Sequence, residues 1–248
     1  MIELRTLGAV NLVRADGGEI RAVLTQAKRL ALLVYLAIAT PRGFHRRDTL
    51  LGMFWPDLDQ RHARASLRKA VHVVRRALGP GVLVPRGDEE LAVAEGSLWC
   101  DAVAFEAAVA GRRFVDALKL YNGDLLPGFF ITGAPEFERW LERERARLKD
   151  LAAQAAWTLA EAAAGEHRAG EAARWGRWAA ALTPYDEGTL RDLVSLLYQV
   201  GDRAEALRAY DEFAERLARD LGVRPSAETR RLRDTVKMSG DFNAAPPG

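Results

Sequence analysis

Five residues between positions 61 and 75 share a spacing suited to chemistry on a polyanion. At about 100° per residue, Arg61, Arg64, Arg68, His72 and Arg75 fall on one narrow stripe of a helix. Leu67, Val71, Val74 and Leu78 fall on a neighbouring apolar stripe. A helix built this way can pack by one face and show guanidinium groups on the other. An α-helix fits the major groove of duplex DNA, where an arginine can donate two parallel hydrogen bonds to a guanine edge. Further Arg and Lys groups neutralise phosphates and release counterions, which supplies much of the affinity. The N-terminal residues of such a helix usually reach the bases. Arg61, Arg64, Ser66 and Arg68 are therefore candidates for base or phosphate contacts, with Lys69, His72 and Arg75 further along the same helix. Arg46 and Arg47 precede it, where flanking phosphates would pass, and Arg86 follows it at a hairpin tip that could enter an adjacent minor groove.

A basic stripe on an arbitrary helix is more often a solvated face than a binding surface. Position is what distinguishes this one. Ile2, Leu4, Leu7, Val10 and Leu12 alternate weakly. Asp16-Gly17-Gly18 is a turn signal, and Ile20, Ala22 and Leu24 follow at period two, so short antiparallel strands are expected over 2–24. Helical periodicity begins near Gln26 and stops at Pro41-Arg42-Gly43. A short second helix is expected after Arg47, with Asp48 as its N-cap, ending at Pro56. Asp57 or Asp59 can cap a third helix over about 60–78, which Gly79-Pro80-Gly81 terminates. Val82-Leu83-Val84 and Leu91-Ala92-Val93, joined by a turn at Arg86-Gly87-Asp88, read as a β-hairpin. Three helices and a hairpin make a winged helix, and the basic stripe lies on its third helix. Between Arg42 and Arg76 there are nine Arg/Lys against three acids, Asp48, Asp57 and Asp59.

From Asp101 onward no strand pattern is seen; one helix opens at Asp101, another lies over 116–121, and Gly123-Asp124-Leu125-Leu126-Pro127-Gly128 breaks the chain. A long helix is expected from about Pro135 to Ala164, then helices near 168–182, 187–200, 203–220 and 226–236. Glu171-Ala172-Ala173-Arg174 lines up with Glu205-Ala206-Leu207-Arg208 at an offset of 34 residues, the length of a tetratricopeptide helix pair. The fold class expected is mainly α: an N-terminal winged helix-turn-helix (α+β) over 1–97, an all-α tetratricopeptide-like domain over 98–238, and a tail or linker over 239–248. Charge divides in the same way. Residues 1–100 hold 15 Lys+Arg and 10 Asp+Glu, whereas 101–248 hold 21 and 24, so the halves have different surfaces or partners. Cys100 is the sole cysteine, which suits a reducing cytoplasm. No 18-residue apolar run and no signal-peptide layout is present, so a cytoplasmic protein without a membrane partner is expected.

These segments resemble the Streptomyces antibiotic regulatory protein family. The resemblance runs through Lys28-Arg29-Leu30-Ala31-Leu32-Leu33-Val34-Tyr35-Leu36-Ala37, Arg47-Asp48-Thr49-Leu50-Leu51 with Phe54-Trp55-Pro56, and Ala65-Ser66-Leu67-Arg68 ending in Arg75-Arg76-Ala77-Leu78-Gly79. The C-terminal half is similar to the family's bacterial transcriptional activator domain, in Trp140-Leu141-Glu142-Arg143-Glu144-Arg145, Gly201-Asp202-Arg203-Ala204-Glu205-Ala206-Leu207 and Leu221-Gly222-Val223-Arg224-Pro225-Ser226. The resemblance implies an OmpR-like winged helix and a bacterial activator that binds promoter direct repeats in double-stranded DNA and recruits RNA polymerase. It places the recognition helix at about 60–78, the wing at about 82–94, and a polymerase-facing loop at Pro56, Asp57, Leu58, Asp59 and Gln60. The helical half would serve dimerisation, giving a homodimer, or regulation. Large family members carry an ATPase domain after the activator domain, and no Gly-x-x-x-x-Gly-Lys-Ser/Thr loop is found here.

Other chemistry is less well supported. His45, His62 and His72 are not at metal-ligand spacing and Cys100 has no partner cysteine, so no metal is expected. Trp140, Trp157, Trp175 and Trp178 read as core aromatics. No nucleophile elbow or dinucleotide loop is present, and neither an enzyme nor a cofactor is expected. The alternative reading is a tetratricopeptide-like interaction adaptor with nonspecific nucleic-acid affinity, which would bind weakly, with strong salt dependence and no preferred site.

Overall fold

A computed structural model of the chain describes residues 2–238. The chain forms two compact units, Met1–Lys149 and Asp150–Gly248. The division falls inside a long helix, whereas the sequence reading divides the chain at 97/98. Among the described residues no helix is long and apolar enough to cross a membrane.

In the first unit, β1 (Ile2–Arg5) pairs antiparallel with β2 (Asn11–Arg14), setting Leu4 opposite Leu12. The segment expected as a further strand is instead a one-turn helix, α1 (Arg21–Leu24). Its N-cap Ile20 and its Val23 are buried while Ala22 is exposed, so the apolar spacing that matters is three, not two. Helix α2 (Ala27–Ile38) is buried from Leu30 through Leu36, as befits the central helix of a small domain. Strand β3 (His45–Arg46) leads directly into α3 (Arg47–Phe54). Arg46 occupies the N-cap of α3, and Asp48, expected there, lies in the first turn. Helix α4 (Gln60–Leu78) ends at Gly79, whose φ of 108° suits only a residue without Cβ. The hairpin of β4 (Leu83–Arg86) and β5 (Glu90–Val93) follows, and β3 joins it at the β5 edge, giving the order β3-β5-β4. Three helices and a winged hairpin are thus present as the sequence implies.

Strand β6 (Leu98–Cys100) then returns beside β1 in parallel, setting Cys100 opposite Leu4. Helix α5 (Asp101–Ala110) starts at its end. The buried Asp101 carboxylate accepts hydrogen bonds from the Thr6 and Leu7 amides at 2.8 and 2.9 Å and from the Thr6 hydroxyl at 2.8 Å. One side chain thereby satisfies donors where β1 leaves its sheet, 95 residues away in sequence. Burial, with the Asp101 charge adding, pushes the Cys100 thiol up to about 11, so it remains protonated and inert near neutral pH. Helix α6 (Phe114–Leu120) follows, and then α7 (Pro135–Gly165), whose first residues complete an aromatic cluster. Phe137 lies 5.3 Å from Phe54 of α3, and Trp140 lies 4.9 Å from Tyr35 of α2, ring centre to ring centre. Arg145 fixes the preceding loop by donating to the Leu125 and Leu126 carbonyls at 2.8 and 2.5 Å.

The second unit holds the remainder of α7 with α8 (Ala169–Leu182), α9 (Glu187–Gln199), α10 (Arg203–Leu221) and α11 (Ala227–Met238). Helices α8 and α10 begin 34 residues apart, the repeat seen in the sequence. Asp186 and Asp202 cap α9 and α10 by accepting from the Thr189 and Glu205 amides. Gly222, at φ 68°, closes α10 in the left-handed conformation. Helices α9, α10 and α11 share one core through Leu193, Leu197, Tyr210, Phe213 and Val236. Gly176 lets α8 approach α9, since a Cβ there would stand 2.9 Å from the Leu196 side chain.

Replacing Asp101 with Ala would leave four buried donors, the Thr6, Leu7 and Ala102 amides and the Thr6 hydroxyl, without this acceptor. The expected cost is about 3 kcal/mol of unfolding free energy, read as a lower urea midpoint at unchanged slope. A loss below about 1 kcal/mol would show that water replaces the carboxylate and that this side chain does not join β1 to α5.

Candidate nucleic-acid interface

Helix α4 starts because Asp59 caps it. The Asp59 carboxylate accepts from the His62 amide at 3.0 Å and approaches His62 Nδ1 at 2.5 Å. These bonds favour the charged form, so the Asp59 pKa lies below the ordinary aspartate value. The helix buries Ala63, Leu67, Ala70, Val71, Val74 and Leu78, which fixes its rotation about its own axis. Arg61, Arg64, Arg68 and His72 are consequently exposed, as the stripe predicts. Arg76, which sequence reasoning does not single out, is exposed as well. Its charge is plain in the sequence, but nothing there separates it from an ordinary helix end.

Arg75 differs from the rest of the stripe. It is half-buried, and its Nε–H donates to the Leu83 carbonyl at 2.9 Å. It therefore ties α4 to the hairpin. Six of the other predicted residues separate onto two flanks of α4. On one flank Arg46, Arg47, Arg64 and Arg68 line a recess of about 470 Å³ together with Asp48, Asp88 and Glu89. Here Arg64 stands 3.7 Å from Asp48 and Arg46 stands 3.9 Å from Glu89. The Arg47 Nε–H is buried without a hydrogen-bond partner among the described residues, and burial, with Arg75 and Arg68 nearby, holds the Arg47 pKa below its ordinary value. An anion entering this recess would meet several guanidinium groups already gathered there. On the other flank Ser66 and Lys69 share a recess with Lys28, Arg29, Trp55 and Phe130.

Arg86 stands at the wing as expected. It is exposed, lies over the Phe44 ring at 4.4 Å and pairs with Glu90 across the hairpin. The loop before α4 is a tight turn in which the Leu58 amide donates to the Trp55 carbonyl at 3.2 Å. Pro56, Asp57, Leu58, Asp59 and Gln60 are all exposed, including the large apolar Leu58 side chain. Asp59 is engaged as the cap, so Asp57 is the carboxylate of the loop without that duty. His45 lies 5.2 Å from the Tyr35 ring, half-buried, and burial lowers its pKa. Among the described residues no group of three or more His, Cys, Asp or Glu is placed to hold a metal ion.

The chain thus has a winged helix whose third helix exposes a basic stripe, followed in sequence by helix pairs, and a family match places it among bacterial transcription regulators. Residues 90–237 match the family described as bacterial transcriptional activator domain, and the chain belongs to that family. The match bears out the resemblance seen in the C-terminal half. Its first residues lie in β5, so residues 90–149 belong both to the family segment and to the first compact unit. The chain is similar in fold to EmbR of Mycobacterium tuberculosis, solved in complex with a low affinity phosphopeptide, with 23% sequence identity and a TM-score of 0.56. That likeness covers 96% of this chain, which spans 65% of the EmbR chain. No curated protein matches the chain.

The Asp59 cap has a pH signature. A carboxylate whose pKa is lowered on folding stabilises the fold above its unfolded pKa, and that stability is lost as pH falls through the folded value. The His62 amide resonance should therefore titrate with a midpoint below the usual aspartate range when followed by NMR, and the titration should vanish in Asp59→Ala. A midpoint at or above the usual aspartate value would mean that the cap is not formed in solution.

Proposed function

We propose that the chain is a sequence-specific DNA-binding transcriptional activator, with α4 as its recognition helix. One observation carries this reading: burial of one α4 face leaves Arg61, Arg64, Arg68 and His72 exposed on the third helix of a winged helix. Membership of an activator-domain family supports it. In this reading Arg61, Arg64 and Arg68 reach base edges and phosphates in the major groove of a promoter repeat. Arg46 and Arg47 take a flanking phosphate at the start of α3. Arg86, steadied by Phe44 and Glu90, follows an adjacent minor groove. The turn at 56–60, with exposed Leu58 beside Asp57, faces RNA polymerase. The helix pairs of the second unit serve dimerisation or regulation.

The test uses a duplex selected by the full-length protein from a randomised pool. Replacing Arg64 and Arg68 with Ala should lower affinity for that duplex at least roughly 30-fold, since each base-reading arginine contributes about 1–3 kcal/mol of discrimination. Fluorescence anisotropy at fixed salt measures the loss, and circular dichroism checks that the variant is folded. Unchanged affinity in a folded variant would remove α4 from the role. Failure to enrich any sequence from the pool would remove the reading itself.

A further inference from the structure

The flank of α4 that carries Ser66 and Lys69 has a property that the Arg46/Arg47 flank lacks. Among the described residues its recess, about 530 Å³, is lined by three cations, Lys28, Arg29 and Lys69, and by no carboxylate. Among the described residues none of the three cations has an ion pair; Arg29 donates to the Ala22 carbonyl at 3.2 Å, and Lys28 lies over the Trp55 ring at 5.9 Å. The Arg46/Arg47 recess, by contrast, contains Asp48, Asp88 and Glu89, and there Arg64 faces Asp48 and Arg46 faces Glu89. Three cations gathered from two helices with no acid among them repel one another, and an external anion relieves that repulsion.

The geometry of a helix in the major groove identifies the anion. The groove is about 12 Å wide and a helix with its side chains is about 10–12 Å across, so both flanks of an inserted helix approach phosphates, one strand on each side. Lys69 follows Arg68 directly and so projects about 100° further round α4. Arg68 lines the first recess and Lys69 the second. We infer that Lys28, Arg29, Lys69 and Ser66 form a second phosphodiester-binding recess, which takes the DNA strand opposite the one held by Arg46 and Arg47. This assignment rests on α4 being the recognition helix. It brings in Lys28 and Arg29 of α2, outside the helix-turn-helix stripe. The Lys28 ammonium is pre-positioned by the Trp55 ring, which limits the entropy lost when it meets a phosphate.

A phosphate contact carries no sequence information, so its removal has a recognisable signature. The full-length Lys28→Ala/Lys69→Ala variant is titrated against the selected duplex and against a scrambled duplex over a series of salt concentrations. Affinity should fall by a similar factor for both duplexes, and the slope of log K against log salt should drop by about two, close to one for each phosphate that is no longer neutralised. Lys28→Gln/Lys69→Gln should behave alike, which guards against a packing effect of the truncation. Both slopes unchanged, with Arg64→Ala/Arg68→Ala still weakening the selected duplex, would overturn the second recess while leaving α4 as reader. Unchanged DNA binding combined with abolished activation in transcription in vitro would also overturn it, and would make the recess a protein-docking surface. If neither pair of variants affects DNA binding, the fault lies with the recognition-helix reading.

Discussion

The structure depends on how α4 is rotated about its axis. Leu67, Val71, Val74 and Leu78 are buried, each contributing roughly 1.5–3 kcal/mol relative to exposure. A turn of one residue, about 100°, would expose most of that stripe and drive arginines toward the core, where an unpaired charge costs several kcal/mol. Helix rotation is therefore not adjustable by interactions on the outer face. The packing that stabilises the domain is the same packing that aims the cations outward. Arg75 reinforces it by fastening α4 to β4.

Behind α4, the remainder of the first unit holds the helix-turn-helix from its far side. The aromatic cluster of Tyr35, Phe54, Phe137 and Trp140 joins α2 and α3 to the start of α7. The Asp101 carboxylate joins β1 to α5. Arg147 of α7 pairs with Glu106 of α5 at 2.5 Å, and Arg42, between α2 and β3, pairs with Glu106 too. The early helices of the family segment thus complete the core on which the winged helix rests. A truncation after the hairpin would uncover Phe54, Tyr35 and the donors of Thr6 and Leu7.

How much of this is legible in the sequence follows from how local each interaction is. The bounds of α4 are readable because its cap, its two stripes and its terminating glycine lie within 21 residues, Asp59 to Gly79. The 34-residue repeat is readable for the same reason. Strand β6 is not, since it exists through parallel pairing with β1 across the whole winged helix. Strand β3, two residues long, is defined by its bonds to Glu90 and Leu91 and has no pattern of its own. Ile20, Ala22 and Leu24 suggest a strand because five residues cannot separate period two from period three. At the site, charge is legible and grouping is not. Ser66 and Lys69 look like neighbours of Arg64 and Arg68, whereas the fold sends them to the opposite flank beside Lys28 and Arg29.

The central claim is that this chain reads DNA sequence. The most direct measurement is affinity capture of fragmented genomic DNA from the source organism by the full-length protein at near-physiological salt, followed by sequencing. The account predicts a few sharp peaks upstream of genes, sharing a direct repeat. Uniform recovery across the genome that disappears as salt rises would contradict it, leaving a basic surface with electrostatic affinity and no site.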